Sequence, residues 1–142
     1  GLGMYAVELG ELRMAAVVAV NALGDIFDPS TGKKIAGLLT ADGTSFGDSC
    51  EELWKMGRRE NLFTGNTTIG AVFTNGKFNK AQMNKIASMT RNAYARCINP
   101  VGTMADGDSI YAASAGDVEA DLNVAGTLAA YVMERAIVAA IR

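Results

Sequence analysis

The chain of 142 residues contains no histidine. That absence removes every Ser-His-Asp or Cys-His nucleophile arrangement the chain could carry alone. It also removes His-based zinc sites. Only two cysteines occur, Cys50 and Cys97. They are too few for a disulfide framework and read as buried or semi-buried thiols in a reducing, cytoplasmic setting. An excess of positive charge is lacking too, since the net charge is −2 and the pI about 5.1. Duplex-binding surfaces need clustered Lys and Arg. The densest basic runs are the pairs Lys33-Lys34 and Arg58-Arg59, so no nucleic-acid partner is expected. Long apolar runs are missing as well. The run 14–20 covers seven residues, and no stretch reads as apolar over the ~20 residues of a membrane helix. No membrane partner and no signal peptide are expected.

The composition is 49% hydrophobic and 20% charged, which is that of a globular chain. Residues 4–9 and the valine-rich run 14–20 read as strands joined by a tight turn at Gly10-Glu11, the second strand buried on both faces. Residues 23–27 read as another strand, ended by the turn Asp28-Pro29-Ser30-Thr31-Gly32. Residues 41–66 are irregular, with one helix over 49–56. Residues 67–74 are β-rich, with a turn at Asn75-Gly76. Asn79, with Gln82 three residues on, fits a capping box. It opens a helix whose apolar face carries Met83, Ile86, Ala87, Thr90, Tyr94, Cys97 and Ile98. A further strand is expected over 109–113, and a final helix capped by Asp117. Strands covered by helices follow from this order.

Several motifs are weak. Gly1-Leu2-Gly3 lacks the third glycine of a nucleotide-binding turn, and Gly32-Lys33-Lys34 lacks the frame of a phosphate loop. Asp106-Gly107-Asp108 supplies too few oxygens for calcium and reads as a turn. No metal or organic cofactor is expected. The segment Gly65-Asn66-Thr67-Thr68-Ile69-Gly70 has two readings. It is a turn running into a strand, or it is a self-cleaving bond. A hydroxyl directly after a scissile peptide can attack that peptide's carbonyl, and water then cleaves the ester. The product would be an N-terminal threonine, whose amine has an ordinary pKa of about 7.7–8.0. Such an amine can act as the base for its own Oγ, so no histidine is needed.

Three blocks together resemble the L-aminopeptidase/D-esterase family, which includes β-peptidyl aminopeptidases and nylon-oligomer endohydrolases. They are Ala19-Val20-Asn21-Ala22-Leu23-Gly24-Asp25 with Asp28-Pro29 and Thr31-Gly32, then Asn66-Thr67-Thr68-Ile69-Gly70-Ala71-Val72, then Asp106-Gly107-Asp108-Ser109-Ile110-Tyr111. The Lys80-Ala81-Gln82 stretch between the second and third is similar as well. The resemblance implies an α/β fold of the four-layer α/β/β/α sandwich type, resembling N-terminal-nucleophile hydrolases. It implies an aminopeptidase or amidase that cuts itself at Asn66–Thr67 and acts through an acyl-enzyme on a small peptide or amide. Thr67 would be the nucleophile and Asn66 the new C-terminus. Asn21 would donate to the oxyanion, and Asp106 and Asp108 would orient the threonine amine. Residues 1–66 would be the end of a large subunit and 67–142 the small subunit. An upstream polypeptide of the same precursor would complete the domain and supply a further site lysine. Cleaved heterodimers would form a homo-oligomer. Two alternatives stay open: ornithine acetyltransferase-like acyl transfer, and an uncut, non-catalytic oligomeric or ligand-binding protein.

Overall fold

The computed structural model describes residues 1–57 and 65–141. The stretch 58–64, with Arg58-Arg59 and part of the expected irregular segment, lies outside the described residues.

Strands β1 (Leu2–Leu9) and β2 (Leu12–Ala19) form an antiparallel hairpin through Gly10-Glu11. Gly10 has φ 60°, a value glycine reaches without a Cβ penalty. Strand β2 alternates buried and less buried positions. It is therefore covered on one face only, not on both as its unbroken apolar run implied. Strands β3 (Asp25–Asp28) and β4 (Lys33–Ala36) form a second hairpin across the expected Asp28–Gly32 turn. The partner strand β4 was not legible because Lys33-Lys34 masks its alternation. Helix α1 (Ser49–Met56) is capped by Asp48, whose side chain accepts from Glu51 N.

Strand β5 (Ile69–Gly76) begins two residues later than expected and continues through Asn75-Gly76, which is not a turn. Its polar end is held by the Asn75 side chain, which accepts from Arg13 N at 2.7 Å and donates to Glu11 O at 2.9 Å. Helix α2 (Lys80–Thr90) opens on the expected capping box. The single long helix expected here is two, because α3 (Asn92–Cys97) starts anew after Arg91. Thr90 Oγ1 donates back to Ile86 O at 2.7 Å, the kind of bond that bends a helix. After the short β6 (Ile98–Asn99), strand β7 (Ser109–Val118) runs five residues past its expected end at 113. It takes Asp117 with it. The final helix, α4 (Leu122–Ile141), is capped instead by Asp121, whose Oδ1 accepts from Asn123 N and Val124 N.

The main sheet has order β1-β2-β5-β7, antiparallel except for the parallel β5–β7 pair, and β4-β3-β6 form a smaller sheet. Helices α2 and α4 pack on one face of the main sheet. Met14, Ala16, Val18 and Val72 meet Ile86, Tyr94, Val132, Met133, Ala136 and Ile137 in the core. Helix α4 overturns one sequence expectation. Its 20 residues are long and apolar enough, by length and composition, to cross a membrane. Here it is the central core helix, since its alanines allow close packing on the sheet. A Cβ at Gly3 would overlap the carbonyl oxygen of Ala136. The Gly1-Leu2-Gly3 pair thus lets β1 and α4 touch backbone to backbone.

The other face of the main sheet is bare. Strand register places Leu2, Met4, Val17, Ile69, Phe73 and Tyr111 on it. Leu2, Met4 and Tyr111 are each about two-thirds exposed, at 68%, 66% and 65%. An apolar patch of this kind marks an interaction surface.

Candidate active site

Strand register brings three distant segments to one end of the main sheet. Ala19 pairs with Ile69, so the residues following β2 run beside those preceding β5. Ile69 also sits beside Ser109 in the parallel pair, so residues 66–68 and 106–108 lie next to each other. Three bonds extend this zipper beyond the strands. Thr67 N donates to Asn21 O at 2.8 Å, Gly107 N to Asn66 O at 3.0 Å, and Ser109 N to Thr68 O at 3.0 Å. Asn66 and Asp106 form an isolated parallel bridge. Asn21, Asn66, Thr67, Asp106 and Asp108 therefore converge.

The half-buried Thr67 directs its hydroxyl at the preceding peptide, and Oγ1 donates to Asn66 O at 2.7 Å. That carbonyl oxygen has a second donor in Gly107 N–H. Asn21 is exposed, and its Nδ2 donates one residue upstream, to Gly65 O at 3.1 Å. Gly65 has φ 66°, a turn conformation suited to glycine.

Neither acid bonds to the Thr67 nitrogen, whose partner is Asn21 O; Asp108 bonds to the residue after the threonine and Asp106 to its own loop. Asp108 Oδ1 accepts from Thr68 N at 2.8 Å. Burial pushes its carboxyl above the usual range, and the charge of Asp106 adds to this. The Thr68 N–H and the Arg91 guanidinium work the other way. Asp106 Oδ2 accepts from Thr103 N at 2.9 Å and Thr103 Oγ1 at 2.8 Å. It clasps its own loop and fixes the path into Gly107.

Sequence reasoning missed the support around this cluster. Tyr94, from α3, donates its hydroxyl to Ser109 O at 3.2 Å and lies 3.4 Å from Thr68 O. Burial, with the nearby Asp108 charge, keeps that phenol protonated well above its usual pKa. Its tip fits under the sheet because Gly70 has no side chain; a Cβ there would come within 2.7 Å of the Tyr94 oxygen. Thr68 is fully buried, and its Oγ1 has no hydrogen-bond partner among the described residues. Gly107 reads in sequence as a turn residue, and only the register shows its N–H pointing at Asn66 O. A cavity of about 270 Å³ lies beside Asp108, lined by Ser88, Arg91, Tyr94 and Ser109 among others. A second, mostly apolar, of about 360 Å³, lies beside Ala22 and Leu23 and reaches Leu53 and Met56 of α1.

Asp25, of the first block, is buried. It accepts from Lys34 Nζ at 2.6 Å, Leu38 N at 2.9 Å, Ser49 N at 3.0 Å and Ser49 Oγ at 2.7 Å. It thereby ties β3 and β4 to the start of α1. Among the described residues no group of three or more His, Cys, Asp or Glu could hold a metal ion.

The sequence pattern of peptidase family S58 matches residues 4–142. The chain belongs to this family. The S58 chain is 32% identical to an uncharacterized aminopeptidase of Mycobacterium leprae over 108 residues, 75% of this chain and 30% of that protein. It is 27% identical to a 6-aminohexanoate-oligomer endohydrolase of Kocuria sp. over 121 residues, 84% of this chain and 34% of that one. Among solved structures it resembles the L-aminopeptidase D-Ala-esterase/amidase of Ochrobactrum anthropi, with a TM-score of 0.64 at 18% identity. That match covers 99% of this chain and 39% of the other. A Burkholderia sp. beta-aminopeptidase aligns with a TM-score of 0.57 at 16% identity, over 99% of this chain and 41% of that one. These likenesses show the fold expected from sequence, a variant of the Ntn-hydrolase fold. The S58 chain spans about a third of the length of the curated relatives it matches.

Proposed function

We propose that this S58 chain is the nucleophile-bearing part of a self-processing amide hydrolase, an aminopeptidase or amidase acting through Thr67. The observation that carries this reading is the Thr67 hydroxyl, 2.7 Å from the carbonyl oxygen of its own preceding peptide. An ordinary turn-to-strand junction does not require that arrangement. Thr67 Oγ adds to the Asn66 carbonyl carbon, its proton passes to the Thr67 nitrogen, and the C–N bond breaks. The resulting ester is hydrolysed to free the Asn66 carboxylate and restore the hydroxyl. The new α-amine of Thr67 has an ordinary pKa near 7.7–8.0, so it can serve as general base at neutral pH. In turnover, Thr67 Oγ attacks the carbonyl of an N-terminal aminoacyl amide or peptide, the amine product leaves, and water releases the acid.

Asn21 supports this reading as an oxyanion donor. Asp108 supports it through Thr68 N, which fixes the residue after the nucleophile, and Asp106 through the loop that carries Gly107. The bare apolar face fits an upstream polypeptide of the same precursor, whose sheet would cover it and form the inner layers of an α/β/β/α sandwich. The L-aminopeptidase D-Ala-esterase/amidase, the beta-aminopeptidase and the endohydrolase among the relatives favour amide substrates.

The direct test is N-terminal sequencing with intact mass on the purified full-length protein. A fragment starting Thr-Thr-Ile is expected, together with hydrolysis of aminoacyl amides. Thr67→Ala should abolish both. A protein that stays whole yet hydrolyses such amides would refute the self-released nucleophile.

A further inference from the structure

We infer that the oxyanion of self-cleavage and the oxyanion of substrate turnover use different donors: the Gly107 main-chain N–H serves the first, and the Asn21 side-chain amide serves the second. This rests on the reading of Thr67 as a self-released nucleophile.

In the uncut chain the carbonyl that must become tetrahedral belongs to Asn66. Gly107 N lies 3.0 Å from its oxygen. The Asn21 amide is engaged one residue away, on Gly65 O at 3.1 Å. The main-chain donor is also rigidly placed. The Ser109 N to Thr68 O bond holds the strand just after it. The Asp106 carboxylate closes the loop on Thr103. A donor already in place needs no reorganisation as charge builds, which is what makes such groups effective. Residue 107 must also be small. A Cβ there would stand 2.8 Å from Thr67 Oγ1, in the space the nucleophile occupies.

As Oγ1 bonds to the Asn66 carbon, the carbonyl electron pair moves onto the oxygen facing Gly107 N–H. It returns when the C–N bond breaks and the nitrogen takes the hydroxyl proton. Once cut, Gly65 and Asn66 are no longer tethered to Thr67. The Asn21 amide then loses the link that held Gly65 against it and faces the nucleophile it flanks. Self-cleavage thus unmasks the donor used in turnover.

The test uses the full-length protein, with glycolic acid placed at position 107 by nonsense suppression. An ester oxygen then replaces the Gly107 N–H. A matching ester at Ser109 removes the neighbouring strand bond without touching the Asn66 carbonyl. Appearance of the Thr67-initiated fragment is followed by mass spectrometry. The Gly107 ester should cleave ~100- to 1000-fold more slowly, the usual effect of losing one oxyanion donor, and the Ser109 ester less than ~10-fold more slowly. Asn21→Ala should show the opposite split. Its self-cleavage falls less than ~10-fold, while aminoacyl-amide hydrolysis per cleaved molecule falls ~100- to 1000-fold. Wild-type cleavage by the Gly107 ester, equal slowing by both esters, or stalled cleavage in Asn21→Ala each overturns the division of labour while leaving the nucleophile assignment intact. A wild-type chain that never cuts at Asn66–Thr67 overturns both. Should the Gly107 ester fail to fold, the Asn21→Ala arm still tests the Asn21 half, which stalled cleavage or unchanged turnover per cleaved molecule overturns.

Discussion

Replacing Asp25 with asparagine is expected to destabilise the fold by about 3–5 kcal/mol, the usual cost of removing one member of a buried ion pair. All four groups that contact its carboxylate are donors: Lys34 Nζ, Leu38 N, Ser49 N and Ser49 Oγ. Asparagine keeps one acceptor oxygen and turns an NH2 toward those donors, so a main-chain N–H loses its acceptor or the Lys34 ammonium keeps only the neutral carbonyl of Gly47, at 2.5 Å. Lys34→Met is milder, because the carboxylate keeps three of its bonds and loses one charged one, worth about 1.5–3 kcal/mol. The ordering is the sharper part of the prediction. At roughly 2–4 °C per kcal/mol for a domain of this size or somewhat larger, thermal unfolding of the full-length protein should drop by ~6–20 °C for Asp25→Asn. The pH dependence follows with a definite sign. Burial pushes the Asp25 carboxyl up, but the bonds from Lys34, Ser49 and Leu38 outweigh it and hold it below the ordinary value of 3.8. Its stabilisation is therefore fully present above the unfolded value and lost as pH falls through the lower folded one. The asparagine variant should lack that part of the acid destabilisation. A loss under ~1 kcal/mol, or a larger effect from Lys34→Met, would refute the view that this carboxylate pins β3 and β4 to α1.

Three further outcomes are expected. Asn79→Ala removes the capping box of α2 and should lower stability by ~1 kcal/mol in urea titration; no change would mean the helix start is held by packing alone. Gly3→Ala drives a methyl into the Ala136 carbonyl oxygen and should cost ~1–3 kcal/mol or more by overpacking, with a lower thermal midpoint as the readout. Thr68→Val removes a buried hydroxyl without a partner among the described residues. It should leave stability unchanged or raise it by up to ~1 kcal/mol, whereas a clear loss would show that the hydroxyl is bonded after all.

The sequence carried the elements best where periodicity and capping agreed. The hairpin at Gly10-Glu11, helix α1 over Ser49–Met56 and the Asn79/Gln82 box were legible because each depends on a local bond. Asp117 misled because it looks like a cap, whereas the pairing of Gly76 with Val118 carries β7 past it. That long-range bond leaves no local trace. Helix α4 was not recognised as a long apolar helix because its hydrophobicity is spread over many alanines. The family, and with it the Ntn-type fold, was legible from three ordered blocks. The convergence of Asn21, Thr67 and Asp106-Gly107-Asp108 was only implied there, and strand register supplies its physical reason. What no residue type announces is the use of main-chain groups. The Gly107 N–H and the Asn21 carbonyl look the same in any sequence.

The sheet order has a consequence for a chain cut at Asn66–Thr67. Strand β5 would then belong to the downstream piece, yet it is zipped to β2 of the upstream piece from Met14–Thr74 to Ala19–Ile69. Helix α4, also downstream, lies across β1 and β2. The two pieces would be interwoven rather than merely docked, and breaking one covalent bond would release neither. Renaturation would change its kinetic order, however. A folding reaction that is unimolecular before the cut becomes a bimolecular encounter after it, slower at low protein concentration and open to mispairing. Such a cut would also make unfolding harder to reverse.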